Sequence, residues 1–326
     1  MNELPIESVP KEYFFQAGDR FGVKPENMSY IGGFENAVYS FEKGNQEYVL
    51  RVGHCTHMSF DLVQAELDWI LYLSESNVPV TKPLASDAGI YVEKININDN
   101  KDNYLNAVAF EKAEGQHLDH ENPRIWNKDI IKHWGKIIGR MHALAQDYTP
   151  KSSKRYEFGM PPEDIKEFLA GEDKEVIDRI ISLFQDLEKL PKTKDSHGIV
   201  HSDLHTGNFF VKDNRITTLL DFDRTCYKWF ISEIAIALYY PLYMTPLRHS
   251  QEAQKDFIRY FLPLFWEGYK SENQLEPFWK EKLNTFIEVR DAILYMYLPS
   301  APRKRVSAII KRRIMGKDSY IDVLAM

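Results

Sequence analysis

Three polar residues in the second half of the chain have the types and spacing that phosphoryl transfer requires. Asp203 and Asn208 lie five residues apart in the segment His-Ser-Asp-Leu-His-Thr-Gly-Asn, and Asp221 follows thirteen residues after Asn208. In kinases one carboxylate receives the proton of the attacking hydroxyl, while an amide and a second carboxylate hold Mg²⁺ against the nucleotide phosphates. Mg²⁺ keeps most of its positions for phosphate and water, so one Asn and one Asp suffice. The set predicts Mg²⁺-dependent phosphoryl transfer to a hydroxyl.

The sequence around these residues predicts short strands that return the second carboxylate to the first. Three short apolar runs occupy residues 198–201, 208–211 and 216–220. Asp221 ends the third run, and a turn signal at 213–214 precedes that run. A solvated loop is the alternative, because Asp, Asn and Gly are ordinary turn residues. The coincidence of apolar flanks with an Asp at a strand end favours the phosphotransfer interpretation.

These motifs resemble those of the aminoglycoside phosphotransferase and choline kinase family, which are small-molecule kinases with a protein-kinase-like fold. Residues 201–208 match the family's H-G-D-x-x-x-x-N loop, and residues 220–223 match its I-D-[FWL]-[DEG] segment. The resemblance implies that Asp203 is the catalytic base and that Asn208 and Asp221 are the metal ligands.

Three further positions are interpreted through the same resemblance. His201 is expected to order the catalytic loop through hydrogen bonds, as the family's His does. Ser202 stands where the family usually has Gly, and Glu233 stands where it usually has an Asp that braces the catalytic loop. A zinc site at His201 and His205 is not favoured, because no His or Cys spacing supports one.

The resemblance extends over nearly the whole chain and implies an α+β fold with two lobes. We expect residues 1–112 to form a nucleotide-binding N-lobe, an antiparallel sheet with one main helix. Residues 113–326 are expected to form a larger, mostly helical C-lobe with the catalytic loop, the metal site and the acceptor-binding helices. Apolar residues at helical spacing over 130–144 and 230–243 agree with this, and 164–190 predicts one or two amphipathic helices.

A glycine pair lies between two predicted strands, 28–31 and 37–41. Gly32 and Gly33 would let backbone N–H groups approach phosphate oxygens, and Asn36 can add a side-chain donor. A plain hairpin turn uses the same residue types and is the alternative. The family's phosphate-covering loop lies at this position, which favours Gly33 and Asn36 as nucleotide contacts.

Arg51 lies in the next predicted strand, 48–52, where kinases place a cation on the α- and β-phosphates. The usual residue is Lys, but Arg keeps the charge and adds a planar fork, and the choline-kinase-like branch is similar in this respect. The alternative is an edge-strand Arg that faces solvent. Glu66, within the apolar stripe of the following helix, is expected to pair with Arg51, with Asp68 and Glu75 as competing acids.

Residues 89–92 and 103–110 predict two more strands, with a turn or loop in the polar stretch 95–102 between them. The second strand leads into the crossing between the lobes. In kinase-like folds this crossing recognises the adenine edge through backbone groups. The resemblance therefore implies nucleotide contacts from the backbone of Glu111 and Ala113.

Composition limits the classes of partner and compartment. The hydrophobic content of 44% indicates a globular chain, and the net charge of −7 argues against nucleic-acid binding. No apolar run is long enough to span a bilayer, and the N-terminus lacks the features of a secretory signal. Cys55 and Cys226 are far apart in sequence, as expected of free thiols in a reducing cytoplasm. We therefore expect a cytoplasmic protein.

The basic segment 303–317 is expected to dock on the C-lobe through its apolar residues, with its charges solvated. A helix lying on a membrane surface is the alternative.

The expected substrates are ATP, with GTP as an alternative, and the hydroxyl of a small molecule. Four acids are expected near the cleft: Asp119, Glu121, Asp223 and Glu233. These would suit a cationic acceptor such as an aminoglycoside or a choline-like amine. Amino acids, sugars and macrolides are alternatives, whereas a protein acceptor is less favoured because no A-P-E segment follows Asp221. A non-catalytic nucleotide-binding or scaffold protein of the same fold is the second class of interpretation.

Overall fold

The computed structural model describes residues 6–33, 35–119, 126–151, 154–244, 250–297, 304–318 and 320–323. The chain forms two compact units. Unit 1 comprises Met1–Gln116, Tyr148–Arg155 and Phe209–Asp223, and unit 2 comprises His117–Asp147, Tyr156–Asn208 and Arg224–Met326. The division predicted after residue 112 lies close to the first of these boundaries. The two later segments of unit 1 were not predicted, and the functional division into lobes stays a prediction.

The regular elements alternate along the first part of the chain and are mainly helical in the second. The strands are β1 (Ser29–Gly32), β2 (Asn36–Lys43), β3 (Gln46–His54), β4 (Pro83–Leu84), β5 (Glu93–Ile97), β6 (Asn100–Glu111), β7 (Gln116–His117), β8 (His197–Val200), β9 (Phe209–Lys212), β10 (Arg215–Leu219) and β11 (Cys226–Trp229). The α-helices are α1 (Lys11–Asp19), α2 (Phe60–Glu75), α3 (Lys128–Ala145), α4 (Pro162–Phe168), α5 (Lys174–Glu188), α6 (Phe230–Tyr243), α7 (Gln251–Lys270), α8 (Pro277–Glu281), α9 (Leu283–Tyr297) and α10 (Lys304–Ile314).

Unit 1 is built on an antiparallel sheet with the strand order β1-β2-β3-β6-β4, and β5 pairs with β6. Ala37, Tyr39 and Phe41 alternate along β2 and are buried in one apolar cluster, in which the Tyr39 ring packs against Phe14 of α1. Helix α2 begins after Ser59, whose hydroxyl accepts a hydrogen bond from the N–H of Leu62. The sheet and α2 hold most of the residues predicted to contact the nucleotide.

The chain between residues 89 and 102 differs from the expectation. Residues 89–92 are not a strand, and β5 and β6 occupy most of the stretch that was predicted to be a loop. Asn98 and Asp99 have φ angles of 51° and 55°, which is the geometry of a two-residue turn that matches the twist of the flanking strands. Because polar residues can fill both the turn and the exposed strand face, hydropathy alone did not reveal this hairpin.

Unit 2 contains a helical core in which α3 and α7 pack with little separation. A Cβ atom on Gly135 would lie 2.1 Å from the carbonyl oxygen of Phe265, and one on Gly268 would lie 1.9 Å from that of Lys132. Glycine is therefore required where these two backbones meet. Helix α6 is buried along nearly its whole length, as expected of a helix that is apolar on all sides.

Helix α10 docks in unit 2 through the fully buried Ile310, as the sequence predicted. The expectation that its charges are solvated is wrong for Arg313, which is buried and bonds both carboxylate oxygens of Asp291 at 2.6 Å. The buried acid on α9 requires a cation, and no local pattern in the sequence reveals where that acid lies. Arg303 lies outside the described residues. In the described part of the chain, the helices lack the length and hydropathy needed to cross a bilayer.

Candidate active site

The predicted nucleotide contacts lie together in unit 1, in the wall of one cavity of about 500 Å³. All six are in this wall: Gly33, Asn36, Arg51, Glu66, Glu111 and Ala113. Asp221 also lines it, and apolar side chains such as Val49, Ile70 and Phe110 complete it. A largely apolar cavity of this size with a few polar groups is typical of a small-molecule site.

Arg51 and Glu66 form a bidentate ion pair inside this cavity. Arg51 Nη1 and Nη2 lie 2.9 and 2.8 Å from Glu66 Oε1 and Oε2, and the Glu66 side chain is fully buried. Burial alone would lower the pKa of Arg51, but the charge of Glu66 outweighs it, so the pKa is raised. The edge-strand alternative is wrong because β3 lies between β2 and β6. The guanidinium is therefore charged and fixed.

The two competing acids of α2 are elsewhere. Asp68 Oδ2 accepts hydrogen bonds from the Tyr148 hydroxyl at 2.9 Å and from the N–H of Lys151 at 2.7 Å. Glu75 is exposed at the end of the helix. The choice of Glu66 as the partner of Arg51 was therefore right.

The backbone around Gly33 leaves no room for a side chain at that position. Gly33 has a φ of 132°, and a Cβ atom there would lie 1.7 Å from the carbonyl oxygen of Asn36. Asn36 pairs with Gly53 on β3, where a Cβ would lie 2.2 Å from Asn36 Oδ1. The Asn36 side chain thus lies over a glycine, and backbone is exposed to the cavity at this turn.

The segment after β6 offers backbone groups to the same cavity. The N–H of Glu111 donates to the carbonyl of Lys82 at 2.9 Å, and the N–H of Lys112 donates to that of Glu47 at 3.0 Å. Because its N–H already has a partner, Glu111 can offer a ligand only its carbonyl oxygen. Ala113 lies two residues further along the cavity wall.

Asp221 follows the β9–β10 hairpin of unit 1, in which Phe209 pairs with Leu219. It is exposed and has a φ of 61°, a left-handed conformation that costs an aspartate some strain. Asn208 directly precedes β9 and belongs to unit 2. In the sequence, the two predicted metal ligands therefore flank one hairpin, with Asn208 before it and Asp221 after it.

The predicted catalytic loop of unit 2 is closed by its own hydrogen bonds. The N–H of Asp203 donates to Nδ1 of the fully buried His201 at 3.4 Å, and Asn208 Nδ2 donates to the Asp203 carbonyl at 2.9 Å. Ser202 has a φ of 67°. A left-handed residue between His and Asp explains physically why glycine is usual in the motif, and this chain tolerates Ser there.

Glu233 holds the catalytic loop from α6. Its Oε1 accepts the N–H of Ser202 at 3.0 Å, and its Oε2 lies 2.9 Å from Nε2 of His142. Both side chains are fully buried. Burial alone would raise the pKa of Glu233, but the hydrogen bond and charge of His142 outweigh it and lower the pKa. Glu in place of Asp therefore still reaches the loop.

Arg290, which the sequence did not predict as a site residue, binds the carboxylate of Asp203. Arg290 Nη2, on α9, bonds both Asp203 Oδ1 and the hydroxyl of Tyr240 on α6. Arg290 is only 8% exposed. Nothing local distinguishes this arginine from the other charged residues of amphipathic helices, so no sequence signal could have found it.

His205 lies on the other side of the Asp203 carboxylate. Its Nδ1 accepts the N–H of Gly207 at 3.0 Å, and its Nε2 lies 3.7 Å from Asp203 Oδ2. Burial lowers the pKa of His205, so the imidazole is neutral at pH 7 and its proton is on Nε2. Asp203 Oδ2 thus faces a proton-bearing nitrogen at long range.

Among the residues that the structure describes, one His and carboxylate cluster has atoms close enough to share an ion. His57 Nε2 lies 3.3 Å from Glu35 Oε2 and 3.6 Å from Asp223 Oδ2 in unit 1. The cluster does not include His201 or His205. Glu121, expected near the acceptor, lies outside the described residues.

The sequence matches the phosphotransferase enzyme family over residues 29–269, and the chain belongs to that family. It is an enzyme, a small-molecule kinase with an alcohol group as acceptor. Its fold is the protein-kinase-like fold of the aminoglycoside phosphotransferases. A thermostable mutant of the aminoglycoside phosphotransferase APH(4)-Ia has that fold and superposes with a TM-score of 0.58 at 13% identity, over 94% of this chain and 97% of that one.

Two relatives are much more similar in sequence. Amicoumacin kinase of Bacillus subtilis (strain 168) is 32% identical over 283 residues, which cover 86% of this chain and 82% of that protein. An amicoumacin kinase solved with AMP-PNP, Ca²⁺ and Ami is 29% identical, with a TM-score of 0.83 over 93% of this chain and 92% of that one. A microcompartment-associated aminopropanol kinase, at 21% identity, shares the fold with a TM-score of 0.72 over 94% of both chains.

Proposed function

We propose that the protein transfers the γ-phosphoryl group of ATP to a hydroxyl of amicoumacin or of a chemically similar small molecule. The observation that carries the proposal is that the two carboxylate oxygens of Asp203 are bonded differently. Its Oδ1 is bonded by Arg290, while its Oδ2 has only long contacts within the described residues, 3.5 Å to Asn208 Nδ2 and 3.7 Å to His205 Nε2. One carboxylate oxygen is thus fixed and the other can receive a proton.

The nucleotide is assigned to the cavity of unit 1. Arg51, held by Glu66, would contact the phosphates, together with the backbone at Gly33 and the amide of Asn36. The carbonyl of Glu111 and the N–H of Ala113 would meet the purine edge. A carbonyl can accept from the amino group of adenine but is repelled by the O6 acceptor of guanine, which favours ATP over GTP.

Asn208 and Asp221 are the proposed ligands of the divalent cation, by their match to the family motifs. An amide oxygen and a carboxylate are the hard donors that Mg²⁺ prefers, and a site with two protein ligands leaves positions for phosphate oxygens. When bound, the cation would neutralise charge on the β- and γ-phosphates. The Ca²⁺ of the amicoumacin kinase complex supports the use of a divalent cation.

Asp203 is the proposed catalytic base. Its Oδ2 would orient the acceptor hydroxyl and take its proton as the oxygen attacks the γ-phosphorus in line. His201 is a positioning residue, because it accepts the N–H of Asp203 and so fixes the backbone of the base. Most of the acceleration would come from positioning and charge stabilisation, as in other phosphoryl transfers.

The test is ADP release from ATP and Mg²⁺ with a panel of acceptors: amicoumacin, an aminoglycoside, choline and homoserine. We expect amicoumacin to give the largest kcat/KM. Asp203→Asn should lower kcat by about a thousandfold while the Kd of ATP changes by less than about threefold. The matched control is Asp256→Asn on the exposed face of α7, which should keep full activity.

Two outcomes contradict different parts of the proposal. Asp203→Asn with unchanged turnover would remove Asp203 from the mechanism. Absence of ADP release with every acceptor would remove the proposed activity and favour a non-catalytic nucleotide-binding protein.

A further inference from the structure

We infer that Arg290 is a specificity residue of the acceptor site. It binds an oxygen atom of the acceptor beside the attacked hydroxyl, and it disfavours acceptors that carry a cationic centre at that place. The inference rests on the proposed function, in which Asp203 is the base that meets the acceptor hydroxyl.

The position of Arg290 is fixed by contacts on several sides. Its Nη2 bonds Asp203 Oδ1 and the Tyr240 hydroxyl, so it is shared between the base and α6. The guanidinium carbon lies 5.1 Å from the centre of the Tyr240 ring, and the His205 ring lies 4.3 Å from the same ring. Because Arg290 bonds Oδ1 of Asp203, it lies next to the acceptor hydroxyl that would bind Oδ2.

One donor of Arg290 has no acceptor within the part of the chain that the structure describes. Its Nε is buried and has no hydrogen-bond partner among the described residues. A buried N–H without an acceptor is unfavourable, because it has lost water without replacing it. An acceptor molecule that offers a lone pair to this N–H would relieve that cost. The donors of arginine are arranged in a planar fork, so the atom that Nε binds is held close to the one that Nη2 binds.

A second buried cation lies in the same unit as Arg290. Lys228 on β11 is 2% exposed, and its pKa is lowered to about 8 by burial, with the charge of Arg290 acting in the same direction. Arg290 and Lys228 are therefore two buried cations whose fields reach the Asp203 region, opposed by Asp203 and Glu233. Choline places a quaternary ammonium two carbons from its hydroxyl, where Arg290 would repel it.

These observations point to a chemical class of acceptor. The attacked hydroxyl should have a neighbouring oxygen acceptor, such as an amide or ester carbonyl, a carboxylate or a second hydroxyl. This class differs from the choline-like amines that the net charge of the chain suggested. An amine elsewhere in the acceptor is compatible with Arg290, provided that it is not adjacent to the reacting hydroxyl.

The test compares Arg290→Lys and Arg290→Ala with the wild type, using amicoumacin, choline and its uncharged isostere 3,3-dimethylbutan-1-ol. Arg290→Lys keeps a charge but loses the fork and the Nε donor. We expect the KM of amicoumacin to rise by about tenfold or more while the KM of ATP changes by less than about twofold. The wild type should use the uncharged isostere better than choline, and Arg290→Ala should reduce that preference.

Two controls separate substrate binding from a structural effect. Guanidinium chloride at millimolar concentration should raise the kcat/KM of Arg290→Ala by about tenfold, and urea at the same concentration should not, because urea has planar N–H donors but lacks the positive charge. Arg259→Lys, on an exposed arginine of α7 that pairs with Glu252 and Asp256, should match the wild type. AMP-PNP binding by each variant would show that it has folded.

The outcomes are distinguishable. If Arg290→Lys leaves both KM values unchanged, or raises them equally, the inference is overturned while the kinase activity stands. The same holds if the wild type prefers choline to its isostere. If the wild type releases no ADP with any acceptor, the proposed function is overturned and this inference falls with it.

Discussion

The cavity that contains Arg51 in unit 1 and the loop that contains Asp203 in unit 2 hold their charged groups in different ways. In unit 1 the Arg51 guanidinium is paired by Glu66, which is 15 residues further along the chain. In unit 2 the Asp203 carboxylate is bonded by Arg290, which is 87 residues away, and the N–H of Ser202 is bonded by Glu233, which is 31 residues away. The first arrangement joins a strand to the next helix, whereas the second joins a loop to two distant helices.

This difference has consequences for how each region responds to change. Loss of one partner in unit 1 leaves a buried charge with its principal counter-ion missing, so a single substitution should have a large effect. In unit 2 several hydrogen bonds hold the same loop. A single substitution should therefore lower the free energy of unfolding by less, and the losses from two substitutions should not be additive.

The largest effect on stability is expected from Glu66→Gln. Because Glu66 is fully buried against Arg51, its loss should lower the free energy of unfolding by about 3 kcal/mol. It should also lower kcat/KM for ATP by about a hundredfold, since Arg51 loses its orientation. Urea denaturation and steady-state kinetics measure both. The control is Glu75→Gln on the exposed end of the same helix, and an equal loss in that variant would contradict the assignment.

A smaller effect is expected from Glu233→Gln, which keeps an acceptor for Ser202 but weakens the contact with His142. We expect a loss of about 2 kcal/mol in unfolding free energy and about tenfold in kcat, with an unchanged Kd for ATP. Combined with His142→Gln, the loss should be less than the sum by about 1 kcal/mol. Strict additivity in this double-mutant cycle would show that unit 2 has no shared network.

Lys228→Met tests the buried cation of unit 2 through its dependence on pH. The pKa of Lys228 is lowered to about 8 in the folded state from 10.5, so the charged form opposes folding at neutral pH. Replacement should raise the unfolding free energy by about 2 kcal/mol at pH 7.

This gain should shrink as the pH rises. Between about pH 8 and 10.5 the unfolded wild type binds a proton that the folded state lacks, so wild-type stability rises relative to the variant. Urea titrations at pH 7 and pH 10 would measure the difference. A gain that is the same at both values would mean that packing, and not charge, is responsible.

The smallest effect is expected from Ser202→Gly. Glycine relieves the left-handed strain at a φ of 67° but adds entropy to the unfolded chain, so stability should change by less than about 1 kcal/mol. Turnover should stay within about twofold, because the N–H that Glu233 accepts is kept. A large loss of activity would mean that the Ser202 side chain has a role of its own.

The sequence predicted the parts of the site that depend on short segments. The Arg51–Glu66 pair could be anticipated from the resemblance, because kinases place a glutamate of the following helix against the strand cation. The hairpin of β9 and β10 followed from two apolar runs and a turn signal. The β5–β6 hairpin was missed because Asn98 and Asp99 resemble any polar loop unless their φ angles are known. Arg290 and His142 were missed because their partners are distant in sequence.

By itself the sequence determined the reaction class and predicted the residues that carry it, since Asp203, Asn208 and Asp221 lie within 19 consecutive residues. Short segments have few conformations, so the types and spacing of these residues already limit their chemistry. Only the tertiary structure decided which distant groups hold them. Contacts such as Arg290 to Asp203 and Arg313 to Asp291 depend on how helices pack. Packing is set by shape and burial summed over the core, and no local pattern records it.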